Sequence, residues 1–167
     1  MTSEARFIFN VATLVLLLGA LIATLTLAWL KGRPAERYAS TIYAVAFFGS
    51  LGLQIVTGQA LPIVPELFLD TLVALAFLVL AIAYNNLWLG AAMMIKGVQL
   101  AMHATHLTDV ADPKFAGLNM YVVGLDLVSL MIMMSMSGGV LASMKARRAG
   151  AAAPSPDQPG PGDVQAA

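Results

Sequence analysis

The run FIFNVATLVLLLGALIATLTLAWL, Phe7 to Leu30, holds 24 residues without one charged side chain. As a helix it would be about 36 Å long at 1.5 Å per residue. That exceeds the ~30 Å hydrocarbon core of a bilayer. The run is too long for the apolar part of a signal peptide. Glu4 interrupts the expected basic leader, and no small-x-small cleavage pattern follows Leu30. It is expected to be a retained first membrane span.

The rest of the chain repeats the pattern. Four further apolar runs lie at about 38–57, 67–83, 87–107 and 118–141. The 167-residue chain is 59% hydrophobic and 11% charged, where soluble domains carry about a quarter charged residues. These features predict an all-α fold, a polytopic transmembrane helical bundle of about five spans. Gly32 and Pro34 mark the end of the first helix, and Pro62 and Pro65 separate the second from the third. "YNN", Tyr84 to Asn86, makes a tight link between the third and fourth runs. The third run is short and nearly merges with the fourth. A four-span alternative would therefore need one re-entrant segment.

Basic residues suggest the orientation. Lys31, Arg33 and Arg37 follow the first span, and Lys145, Arg147 and Arg148 end the last. An odd number of spans puts all six at one end, against Arg6 and Lys114 at the other. Lysine and arginine are retained on the cytoplasmic side. The expectation is an outer N-terminus and a cytoplasmic C-terminus. The bundle would occupy residues 1–148. The Pro-, Gly- and Ala-rich stretch 149–167 has no aromatic residue and is expected to be a disordered tail.

Nine basic and nine acidic residues cancel, and cysteine is absent. Neither a nucleic-acid surface nor thiolate chemistry is indicated. The partners expected are the lipid bilayer and either a membrane-protein partner or a second copy of the chain. Small residues at four-residue spacing, Gly97, Ala101 and Thr105, read as a packing row inside the bundle. Gly49, Gly52, Gly117, Gly124, Gly138 and Gly139 extend that reading. Trp29, Trp88, Tyr38 and Tyr121 fall near helix ends and read as interfacial aromatics. The methionines of "MIMMSM", Met131 to Met136, read as core filling rather than a copper site.

The polar residues within the apolar runs are the candidates for function. On a helix, Gln99, His103 and His106 lie about −60°, −20° and −80° from Lys96. The four share one stripe, which must avoid lipid because such groups are costly against hydrocarbon. Asp126 and Asp70, on the fifth and third runs, fall at comparable depth. Asn10 and Gln54 lie in the same layer. The candidate cluster is therefore Lys96, Gln99, His103, Asp126 and Asp70. Within it the expected contact is an ion pair between Lys96 and Asp126. Asp70 has a second reading as a residue that begins the third helix.

The i, i+3 spacing of His103 and His106 can present two imidazoles to one metal, with Asp70 or Asp126 completing the set. A b haem held by two axial histidines is argued against, because one helix cannot supply both faces. Lys96, His103 and Asp126 can also form a proton path. No hydrolase, zincin or phosphate-loop motif is present.

Asn85, Asn86, Trp88, Gln99, Leu100, Thr105, His106 and Leu107 resemble a pattern in small uncharacterised multi-spanning proteins of bacterial membranes. The resemblance implies a helical bundle in a bacterial cytoplasmic (inner) membrane and carries no reaction with it. Lys96 and His103 are not part of that pattern. The function expected is that of an accessory or binding component of a membrane assembly, without enzymatic activity. The alternatives are a metal- or small-ligand-binding membrane protein, of which an enzyme is one form, with an outer-leaflet polar site, and a small proton-coupled transporter.

Overall fold

A computed structural model describes residues 3–58, 63–109 and 118–152. Five helices follow in order: α1 (Ser3–Lys31), α2 (Pro34–Thr57), α3 (Ile63–Tyr84), α4 (Leu87–Asp109) and α5 (Leu118–Ala152). The fold is an all-α bundle. The helices overlie the five apolar runs and extend beyond most of them. α5 continues past residue 141 to Ala152. The remainder of the proposed tail, and the link between α4 and α5, lie outside the described residues.

Each turn has a local cause. Gly32 closes α1 by donating its N–H to Ala28 O at 2.8 Å. A Cβ at Gly32 would strike that same carbonyl. Pro34 then starts α2, where its missing N–H costs nothing, and the Glu36 carboxylate accepts from the Arg33 N–H. Gly58 ends α2 at a φ of 62°, a left-handed position that glycine takes without a Cβ clash. Asn85 turns α3 into α4 at a φ of 47°, which asparagine tolerates better than most residues. Pro65 lies in the first turn of α3, where an amide hydrogen has no helical partner.

Each helix packs on its neighbours in sequence, and α5 closes the ring against α1. An odd number of helices makes α1 and α5 parallel. Their C-termini meet, and the Arg147 guanidinium donates to Lys31 O, a favourable place for a cation. The two basic clusters therefore share one end of the bundle. A Thr24–Ser137 hydroxyl contact at 3.2 Å ties the same helices together further in.

Four of the five helices, α1, α2, α3 and α5, are long and apolar enough to cross a membrane. Large apolar residues such as Ile22, Val45, Val79 and Met134 point outward, as lipid contact requires. α4 has 23 residues, and its polar stripe makes it less apolar. It runs antiparallel to α5: Trp88 meets Gly139, Met102 meets Gly124, and His103 meets Tyr121. Over this length α4 is therefore in register with α5.

The packing corrects the small-residue reading in part. Gly124 and Gly139 do allow close approach, to Met102 and to the indole of Trp88. Gly97, Ala101 and Thr105 face outward. The reason is geometric, because that row lies opposite Lys96, Gln99 and His103 on α4, and both cannot face the core. Met133 and Met136 are buried, while Met131 and Met134 are exposed.

Candidate functional site

The polar stripe of α4 faces inward. Lys96, Gln99 and His103 are buried, and each has a partner. Lys96 Nζ donates to Asp70 Oδ1 and to Gln99 Oε1 at 2.8 Å. It also lies 5.6 Å from the centre of the Tyr43 ring, within cation–π range. Asp70 is held two turns inside α3, so it does not begin that helix. The position follows from the inner stripe of α3, on which Glu66, Asp70, Val73 and Phe77 are all buried.

The expected pairing of Lys96 with Asp126 is therefore replaced by Lys96 with Asp70. Depth alone does not separate the two carboxylates. The hairpin partner α3 turns Asp70 toward α4, whereas Asp126 lies on the cavity side of α5, one residue round from buried Leu125. Asp126 makes no hydrogen bond or ion pair among the described residues.

Asp70 is shared. Its Oδ2 faces His103 Nε2 at 3.0 Å, and His103 Nδ1 faces the Tyr121 hydroxyl at 2.6 Å. A carboxylate only accepts, so Nε2 carries the proton and donates to Asp70. In the tautomer with its proton on Nε2, Nδ1 accepts from the Tyr121 O–H. The result is a continuous chain, Tyr121–His103–Asp70–Lys96–Gln99, joining α5, α4 and α3. Both His103 nitrogens are engaged, and the His106 ring stacks on Tyr121 with centroids 4.1 Å apart and planes 16° apart. The two imidazoles bracket a phenol instead of converging on one point. Among the described residues no three His, Asp or Glu side chains are placed to hold a metal ion.

Beside this chain lies a cavity of about 540 Å³, to which all five helices contribute. It occupies the half of the bundle where α1 begins and α2 ends. Asn10, Gln54, Asp70, Lys96, Gln99 and Asp126 line it, and His103 and His106 do not. Glu66, Tyr43, Ser50 and Ser129 join the polar lining. Glu66 Oε1 accepts from Ser50 at 2.9 Å and from Gln54 at 3.1 Å. Phe9, Phe47, Leu51 and Leu69 are among the apolar walls. The volume falls within the range of small-molecule sites, which are mostly apolar with a few placed polar groups.

Several of these residues were not expected at a site. Tyr121 read as an interfacial aromatic, yet it holds both histidines. Glu66 falls just before the third apolar run at 67–83, whereas α3 begins at Ile63 and includes it. Its signal was the i, i+4 spacing to Asp70. Trp88 also departs from the interfacial reading. It packs over Gly139, and its indole N–H is buried without a partner among the described residues. Trp29 and Tyr38 are exposed on the bundle's outside.

Comparison with protein-family models, curated proteins and solved structures gives no match to this chain.

Proposed function

We propose that this protein is a non-catalytic binding component of a membrane, which takes a small ligand into the five-helix cavity. The observation that carries this reading is the cavity itself. Its volume is about 540 Å³, and it gathers Asn10, Gln54, Glu66, Asp70, Lys96, Gln99 and Asp126 within a bundle whose outer surface is apolar. Packing rules disfavour leaving such a space unfilled, and polar groups at membrane depth mark ligand or ion paths. Lys96 and Asp70 brace one wall through their mutual pair, a positioning role for the lining.

The basic end, with Lys31 and Arg147 in contact, supports a cytoplasmic C-terminus by the retention of positive charge. The cavity then opens toward the outer leaflet. The bacterial cytoplasmic membrane is the location supported by the resemblance around Asn85, Asn86 and Trp88.

A proton-linked version has its own support, the hydrogen-bonded chain from Tyr121 to Lys96. It would tie ligand occupancy to proton movement along those groups.

Native mass spectrometry of the protein released from its own membranes tests the binding reading. A small-molecule adduct at one per chain is expected, lost in Ser129→Phe, which fills the cavity from α5. Protein that carries only lipid, or an adduct that persists in the filled variant, would overturn it.

A further inference from the structure

The cavity's charge inventory defines a ligand class. Among the described residues, three carboxyl groups, from Glu66, Asp70 and Asp126, line it against one ammonium group, from Lys96. The ammonium is already committed: it donates to Asp70 and to Gln99 and has the Tyr43 ring beside it. Among the described residues, an anionic ligand would find no free cation on these walls. Asp70 is likewise committed, to Lys96 and His103.

Two carboxyl groups remain. Glu66 receives Ser50 and Gln54, but both bonds fall on Oε1. Asp126 receives nothing among the described residues. An acidic group facing an apolar-walled space within a membrane is costly when ionised and uncompensated. A ligand that brings positive charge removes that cost, and a ligand that brings negative charge adds to it.

The shape of the site then separates an organic cation from a metal ion. A hard cation requires about six or more oxygen ligands drawn tightly round one point. Here no three acidic or imidazole groups among the described residues converge in that way. The space is too large for a bare ion, and Phe9, Phe47, Leu51 and Leu69 offer an apolar surface beside the carboxyl groups. Aromatic rings also attract cations through their faces.

We infer that the cavity takes a small organic cation, a protonated amine on an apolar body, with the ammonium seated against Asp126 and Glu66 and the body against Phe9, Phe47 and Leu69. This rests on the binding reading above and adds the chemical class of its ligand.

Three probes on one frame test it: 2-(1-naphthyl)ethylamine, the matching alcohol 2-(1-naphthyl)ethanol, and 1-naphthylacetate. Their binding is measured by calorimetry to the full chain in phosphatidylcholine nanodiscs, with empty discs as the control for partitioning. Saturable binding of the amine, at least tenfold tighter than that of the alcohol, is expected, with the acetate weakest. Asp126→Asn should weaken the amine at least tenfold and leave the alcohol unchanged. Glu66→Gln provides a second variant where Asp126→Asn does not fold. Equal binding of amine and alcohol, a preference for the acetate, or indifference to both variants overturns the cationic class and leaves the binding reading standing. Failure of all three probes to bind saturably overturns both.

Discussion

Lys96 on α4 reaches Asp70 on α3, across a hairpin whose turn is formed by Asn85 and Asn86. Both residues are buried, and each is the other's main charge partner. Removing one partner of a buried pair leaves an uncompensated charge, which costs about 3–5 kcal/mol. Lys96→Met and Asp70→Leu should each destabilise the protein by about that amount. The double variant should recover most of the loss, because no lone charge remains. Unfolding by steric trapping in bicelles measures all three. Additive losses in the double variant would show that the two side chains act independently.

His103 is predicted to be protonated at Nε2 in its neutral form, because its two partners differ in kind. Asp70 accepts and the Tyr121 hydroxyl donates. Nitrogen-15 NMR of the imidazole ring distinguishes the two tautomers directly. In Tyr121→Phe the His106 stack remains and one hydrogen bond is lost, for which the expected cost is about 0.5–1.5 kcal/mol. A proton found on Nδ1 would require the phenol to accept, and the chain as described would be wrong.

Two glycines should respond in opposite ways. A Cβ at Gly139 would lie 2.6–2.7 Å from three atoms of the Trp88 indole. The ring is itself packed in, so Gly139→Ala should destabilise by about 1–3 kcal/mol. Nothing lies within 4 Å of a Cβ at Gly97. Gly97→Ala should therefore be neutral or gain about 0.5–1 kcal/mol from helix propensity. Thermal unfolding in detergent ranks the two. A large loss at Gly97 would mean that the outward face of α4 is covered by another chain in the protein as purified.

The contrast shows how far the sequence could be read. Helix number, order and depth follow from apolar run length and from charge, and the layer holding Asn10, Gln54, Asp70, Gln99 and Asp126 follows from depth. Rotation of each helix about its axis does not follow, since an apolar helix has no polar face to fix it. That is why Asp126 was expected at Lys96 where Asp70 stands. One constraint was readable: Gly97 and Ala101 lie opposite Lys96 and His103 on α4, so a buried polar stripe forces the small row outward. Tyr121 was not readable, because an aromatic near a helix end has the same sequence signature whether it meets headgroups or a histidine.

The basic end of the bundle is expected in the cytoplasm. The chain has no native cysteine, so single cysteines report without background. Glu4→Cys should react with a membrane-impermeant maleimide in intact bacterial cells. Ala149→Cys, beyond Arg147 and Arg148 on α5, should react only after the membrane is opened. The reverse pattern would invert the assigned orientation and place the cavity toward the cytoplasmic leaflet.

The central claim is that one cavity, not a set of separate helix interfaces, gathers the polar residues of all five helices. Single cysteines at Gln54, Ser129 and Asn10 test it most directly, with Met134 as a control on the outer surface. A small, charged methanethiosulfonate reagent should modify all three lining positions and spare Met134→Cys, which faces lipid. Modification at one lining position should slow the binding of any ligand that modification at the other two also slows. If Ser129→Cys and Gln54→Cys remain unreactive in folded protein, the polar groups are sealed in separate contacts and the account is contradicted.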